Sequence, residues 1–205
     1  MKRFLAHLLS IVFIPLLAPT YLAILVLYDF PAFAPLGPFT GERAMIGFIF
    51  LTTTLPPFIL VFILYQLKII STLTLDDRKD RLIPQCFVCF NYVLLSVYMV
   101  YALGVSNALT LSVIGITVSV LVVSFITPFW KISTHACGVW GITAIVTVLY
   151  ARHPLPHFLV FYLLLLLLTV AVCLARLYLK VHTPLQVITG SLLGGVVGAF
   201  LFLFF

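Results

Sequence analysis

Residues 155–178 read LPHFLVFYLLLLLLTVAVCLARLY, a run in which Arg176 is the one charged residue. A helix rises about 1.5 Å per residue, so about 20 such residues cross the roughly 30 Å hydrocarbon core of a bilayer. A helix apolar on every side has no face for water and belongs in lipid or deep inside a protein. Cutting the rest of the chain at Pro, Gly and charged clusters yields six further runs, at about 4–28, 44–70, 84–104, 107–128, 133–151 and 184–205. The expected fold is therefore all-α, a polytopic transmembrane bundle of six to seven helices forming one integral membrane domain over residues 1–205. Met1-Lys2-Arg3 before an apolar run imitates a secretory signal, but the run continues past Leu22 without a small-residue cleavage site. It is expected to remain as the first helix.

Composition agrees with the run. The chain is 64% apolar and 8% charged, with a mean hydropathy of +1.30, whereas soluble domains carry about a quarter charged residues. The excess of 11 Lys and Arg over five acidic residues reads as membrane topology or contact with anionic lipid, and not as nucleic-acid binding. Cys86, Cys89, Cys137 and Cys173 all lie in apolar stretches and behave as small hydrophobes. Cys86 and Cys89 make a C-x2-C pair with no second pair at zinc spacing, so neither a metal nor a disulfide framework is expected. Pro15, Pro19, Pro56 and Pro57 predict kinks, with Thr52, Thr53 and Thr54 able to re-satisfy freed carbonyls.

Each crossing switches sides, so every second loop shares a face. The N-terminus and the loops near 71–83, 129–133 and 179–183 share one; 29–43, 104–107 and 152–154 share the other. Lys2, Arg3, Lys68, Arg78, Lys79, Arg81, Lys131, Arg176 and Lys180 fall on the first face, against Arg43 and Arg152 on the second. The positive-inside rule puts the crowded face in the cytoplasm. Five of those nine, Arg78, Lys79, Arg81, Lys131 and Arg176, also belong to polar clusters, and without them the bias narrows to four against two.

Three polar clusters gather on that face: the 71–84 loop with Asp76-Asp77-Arg78-Lys79-Asp80-Arg81, segment 131–135 with Lys131, Ser133, Thr134 and His135, and segment 176–186. Two crossings separate each from the next, so a bundle can unite them. By itself the first reads as a solvated loop with internal ion pairs, and His135 as an interfacial hydrogen-bonder. The third resists so plain a reading. An ionisable residue such as Arg176 costs about 2.5–3.5 kcal/mol at a membrane centre, less near a helix end where it snorkels. Six residues later comes His182, then Thr183-Pro184, which stops one helix and starts the next. Arg176 and His182 thus flank a helix junction whose following N-terminus favours anions.

The segment from Arg176 through His182 to Gln186 resembles the third signature of the type 2 phosphatidic acid phosphatase (PAP2) superfamily: Arg, five residues, His, three residues, Asp. Arg176 and His182 match in spacing, and Gln186 stands where the family has Asp. Ser133-Thr134-His135 resembles the second signature, Ser-Gly-His after a Pro, with Ile132 for the Pro and Thr134 for the Gly. The first signature, Lys, six residues, Arg-Pro, is loosely echoed by residues 78–84, out of register with Pro84. The resemblance covers about the last 130 residues.

The resemblance implies a PAP2-like core and a membrane phosphatase acting on a lipid phosphate or isoprenoid diphosphate. His182 is then the nucleophile that forms a phosphohistidine. His135 protonates the leaving alkoxide and then activates water. Arg176, Arg78, Lys79, Arg81, Lys131 and Ser133 are the phosphate-binding set, and no cofactor or metal is implied. Gln186 is the departure: an amide oxygen still accepts a bond from the nucleophile's other ring nitrogen, but brings no charge. Either Asp76, Asp77 or Asp80 replaces it, or turnover is slow, or the site binds phosphate without hydrolysis. The last of these makes a second reading, a reduced protein that binds or transports a phosphate-bearing lipid. A prenyltransferase, a third reading, wants a second acidic cluster, and Asp29 and Glu42 are assigned to the opposite face. The expected partners are the bilayer and a lipid phosphate, with a homo-oligomer left open, in a bacterial inner membrane. Charge counting places the site on the cytoplasmic side, whereas many bacterial relatives of the family work at the outer face. In the last helix Gly190, Gly194 and Gly198, with Ser191 and Gly195 beside them, leave one stripe nearly bare, expected to pack inside the chain.

Overall fold

In lipid a backbone has no water to bond, so apolar runs must close their hydrogen bonds internally, as helices do. The structure, a computed structural model, describes residues 2–75, 77, 79–155 and 158–203, without the side chains of Lys2, Phe202 and Leu203. Among these residues the chain forms α1 (Lys2–Val12), α2 (Ala18–Asp29), α3 (Glu42–Thr53), α4 (Leu55–Gln66), α5 (Leu82–Leu103), α6 (Ala108–Ile126), α7 (Thr134–Arg152), α8 (Phe158–Tyr178) and α9 (Pro184–Leu203), with no strand. Among the described residues seven stretches are long and apolar enough to cross a membrane; α1 with α2 makes the first and α3 with α4 the second. The chain is an integral membrane protein of all-α class, as its composition indicates.

The expected breaks fall at the prolines. Between α1 and α2 a 3-10 turn occupies Pro15–Leu17, and the Tyr21 hydroxyl donates to the Val12 carbonyl at 2.7 Å. At the second break, Thr53 donates to the Ile49 carbonyl at 2.7 Å and the Thr54 hydroxyl to the Leu16 carbonyl at 3.0 Å. The last bond joins the two breaks, and the Thr52 carbonyl, four residues before Pro56, is met by Nδ2 of Asn91. One boundary differs from the sequence expectation. The second apolar run reaches residue 70, yet α4 stops at Gln66 because Lys68 turns left-handed at φ 57°. The amides of Lys68 and Ile69 then bond back to the Tyr65 and Leu64 carbonyls, a cap that ends the helix while the sequence is still apolar.

The most extensive helix pair is α7 with α9, and glycine sets its closeness. A Cβ placed on Gly190 would meet the Ser133 carbonyl oxygen, one on Gly194 the Cys137 carbonyl oxygen, and one on Gly198 would lie 2.7 Å from the Gly141 carbonyl oxygen. The three contacts advance by four residues on both helices, so α7 and α9 run parallel, in register. The bare stripe of α9 therefore packs inside the chain. Gly194→Ala forces a methyl into backbone that cannot yield and is expected to cost about 1–3 kcal/mol of stability. Gly195→Ala points into open space and is expected to be neutral or to stabilise by up to about 1 kcal/mol. Thermal melts in detergent compare them; equal melting points for the two variants would refute the ladder.

Candidate phosphate site

Two parallel helices in register bring their N-termini to one level. The Ser133 amide, at the start of α7, donates to the Gln186 carbonyl in the first turn of α9 at 3.2 Å. Both ends are capped from the sequence. Ser133, fully buried, accepts from the Ala136 amide at 3.4 Å, the ordinary bond of a serine N-cap. Thr183 and Gln186 form a capping box: the Gln186 amide donates to the Thr183 hydroxyl at 3.4 Å, and Gln186 Oε1 accepts from the Thr183 amide at 3.1 Å. Upstream, α8 ends at Tyr178 and Lys180 turns left-handed at φ 56°, which reverses the chain and sets His182 just before the box.

The box also decides the tautomer of His182. A backbone N–H only donates, so the Gln186 atom facing Thr183 is the oxygen. That same oxygen lies 3.2 Å from His182 Nδ1, which must then carry the proton and donate. Nε2 is left with its lone pair. His182 is buried, at 8% exposure. Burial pushes its pKa down to about 4; the Gln186 bond opposes this, and the charges of Arg176, Arg81 and Lys131 lower it further. The imidazole is neutral at physiological pH.

His135 is the second residue of α7, and its Nε2 lies 3.0 Å from the Ser10 carbonyl of α1. A carbonyl only accepts, so Nε2 holds the proton and Nδ1 the lone pair. Arg176, His182 and Arg81 are within electrostatic reach of it. Arg81 is half-buried, with Nε donating to the Leu75 carbonyl at 2.7 Å. Lys131 and Arg176 are also half-buried. The fold thus gathers Arg81, Lys131, Arg176, His135 and His182 from three clusters far apart in sequence.

The remaining residues of the 71–84 loop stand differently. Lys79 is exposed, with its amide bonded to Asp77 Oδ1 at 3.1 Å. Asp80 accepts from the Ser71 amide at 2.8 Å and from the Ser71 hydroxyl. Asp77 and Asp80 are therefore engaged in shaping their own turn, and among the described residues Gln186 is the partner of His182. Arg78 and Asp76 lie outside the described residues. Ser133 has its oxygen committed to the helix cap. Two contributors escaped the sequence reading. Thr183 was legible as the start of a T-x-x-Q box, but the Ser10 carbonyl carries no sequence signal, because any residue has one.

Residues 112–205 match the family model of the PAP2 superfamily. That range contains His135, Arg176, His182 and Gln186 and excludes residues 78–84, the loosest of the three echoes. No curated protein and no solved structure matches the chain. Members of the superfamily generally hydrolyse phosphate esters. Motif spacing and family match agree, and residues 112–205 are similar to the PAP2 superfamily.

Proposed function

We propose that the protein is a membrane phosphatase that hydrolyses a lipid phosphate or isoprenoid diphosphate through a phosphohistidine. The observation that carries this reading is the bond from His182 Nδ1 to Gln186 Oε1, which leaves a neutral Nε2 beside three cationic side chains. In the first step the Nε2 lone pair attacks phosphorus, a P–N bond forms, and the P–O bond to the leaving alkoxide breaks. His135 keeps its Nε2 proton on the Ser10 carbonyl, and its bare Nδ1 takes up the proton carried by the substrate's phosphate monoanion and passes it to the leaving alkoxide. In the second step Nδ1 takes a proton from water, the hydroxide displaces His182, and inorganic phosphate leaves. Arg176, Arg81 and Lys131 meet the charge on the phosphoryl oxygens, with Arg as a fork and Lys as a point charge. The adjoining N-termini of α7 and α9 add oriented backbone dipoles of the same sign. No metal or organic cofactor enters these steps. Lys79 belongs to an outer basic rim in this reading, and the charge bias of the loops supports a cytoplasmic site in a bacterial inner membrane.

A second reading, a protein that binds or carries a phosphate-bearing lipid without hydrolysis, is favoured by one observation. Gln186 supplies no negative charge to the imidazolium that phosphorylation creates. Phosphate release by the purified protein from phosphatidate, phosphatidylglycerophosphate and undecaprenyl diphosphate separates the two. Release from at least one is expected; release from none overturns the phosphatase reading.

The depressed pKa of His182 has a kinetic consequence. An unperturbed histidine would lose its nucleophilic form as pH falls through about 6.5. With a free-enzyme value of about 4, the ring stays neutral down to that pH, so the His182 limb of kcat/KM is expected near pH 4. An acid limb that moves with substitutions at Gln186 identifies the group as His182.

A further inference from the structure

We infer that the cavity between α2, α7 and α8 is the binding site for the hydrocarbon chain attached to the phosphate, and that the proline break of the first helix pair forms its specificity wall. This rests on the phosphate-ester reading of the site and names what the ester carries. The cavity measures about 170 Å³, and its walls include Ile24 and Leu25 of α2, Val139 and Ile142 of α7, and Leu165 and Thr169 of α8. An apolar cavity of about 150 Å³ holds a benzene molecule, so this one takes roughly six carbons of chain. The Thr169 hydroxyl is 2.7 Å from that of Thr143, so the polar atom on the wall is already paired within the protein.

The cavity does not stand apart from the polar site. A narrower crevice lined by His135, Ala18 and Pro15 shares Phe13, Tyr21, Val139 and Ile142 with it. His135, Val139 and Ile142 fall on one face of α7, which carries the path roughly 10 Å down the helix from the histidine. On α8, Thr169 and Arg176 are seven residues apart, about two turns, and lie on one face as well. A molecule with an anion at Arg176 and a chain running beside α7 fits both ends. Ile24, Phe161 and Leu168 are 38%, 42% and 39% exposed, so the cavity opens sideways toward lipid, where such a chain already resides. A phosphate ester without a chain would leave the apolar part empty.

The wall from Phe13 to Leu25 lies outside residues 112–205. The same segment leads from Ser10, whose carbonyl holds His135, through the 3-10 turn tied by Thr54 and Tyr21. Chain recognition and the orientation of His135 are thus set by one piece of backbone, contributed by this chain's own N-terminal part.

Photolabelling tests the assignment. The His182→Ala protein, in phosphatidylcholine nanodiscs, is irradiated with phosphatidate bearing a diazirine in its acyl chain, with a diazirine-bearing prenyl diphosphate, or with phosphatidylcholine bearing the same acyl label. Mass spectrometry locates the adducts. One of the two phosphate-terminated probes is expected to label the α2, α7 and α8 wall over phosphatidylcholine by roughly tenfold or more, what one charge-assisted hydrogen bond to a terminal phosphate that the choline headgroup blocks confers. Leu165→Trp and Ile24→Trp, filling the cavity from opposite sides, are each expected to remove that labelling, and Leu25→Ala to retain it. Equal labelling by phosphatidylcholine, adducts confined to other lipid-facing surfaces, or full labelling of both filled variants overturns the assignment. Labelling of the cavity by a protein whose wild type releases no phosphate sinks the hydrolase reading alone. Phosphate release with the chain labelled elsewhere sinks the chain site alone.

Discussion

His182→Ala is expected to lower phosphate release by roughly a thousandfold or more, the scale seen when a nucleophile is removed from a covalent mechanism. The reason is local. The ring is buried, its Nδ1 proton is held by Gln186, and its pKa of about 4 keeps Nε2 unprotonated. Alanine leaves Arg176, Arg81 and Lys131 to bind the phosphate, but water must then attack directly. Folding is expected to change little, within about 1 kcal/mol, because Gln186 Oε1 still accepts from the Thr183 amide. A colorimetric phosphate assay reads the rate. A rapid quench reads the intermediate, an acid-labile phosphoenzyme in the wild type that is absent from the variant. Equal rates for the two proteins would remove His182 from the mechanism.

Gln186 is the second large lever, because its one oxygen serves two functions. It closes the capping box of α9 and it sets the tautomer of His182. Gln186→Leu removes both bonds and is expected to cost about 0.5–2 kcal/mol in stability, as loss of a cap does. Activity is expected to drop by roughly 100- to 10,000-fold, the upper end being the handicap of a catalytic histidine held in the wrong tautomer. Gln186→Asp is the opposite experiment. A carboxylate accepts the same bonds, favours the N-terminus of α9, and stabilises the imidazolium that phosphorylation creates. The expected result is a gain of roughly ten- to a hundredfold in phosphate release, with the acid limb moving above pH 4, because an anion beside the ring raises its pKa. A gain would show a hydrolase running without its usual charge. An inactive wild type that Gln186→Asp awakens would place the chain among binders derived from such an enzyme, and inactivity of both would leave the binding reading alone.

Why a protein would hold Gln there is partly answered by the box. Glutamine at the third helical position reaches back to the Thr183 amide by ordinary capping geometry, and on the way meets Nδ1. Among the described residues, the first-loop carboxylates are used within their own turn, Asp80 on Ser71 and Asp77 on the Lys79 amide. The site is held by neutral hydrogen bonds and filled with positive charge.

Much of this was legible in one dimension because the bilayer imposes one-dimensional rules. A segment must be long and apolar enough to cross, and its backbone must bond within itself, so residues 155–178 and their six counterparts announce their helices by composition alone. Sidedness follows by counting, and so does the gathering of Arg81, Lys131, His135, Arg176 and His182 on one face. The spacing of Arg176 to His182 and the T-x-x-Q pattern are local, within two turns of chain, and such patterns survive in sequence. Other features depend on where helices cross. The parallel register of α7 and α9 is chosen by the fit of Gly190, Gly194 and Gly198 against particular carbonyls, which the glycines allow without naming the partner. The Ser10 carbonyl reaches His135 across 125 positions through a backbone atom that every residue possesses. The cavity exists only as the space between three helices. Sequence by itself determined which stretches are long and apolar enough to cross and which residue types meet on one face, since burial in lipid reads composition directly. Only the tertiary structure decided which nitrogen of each histidine is left bare and what lies beneath them, because those depend on the approach of surfaces whose partners no local pattern specifies.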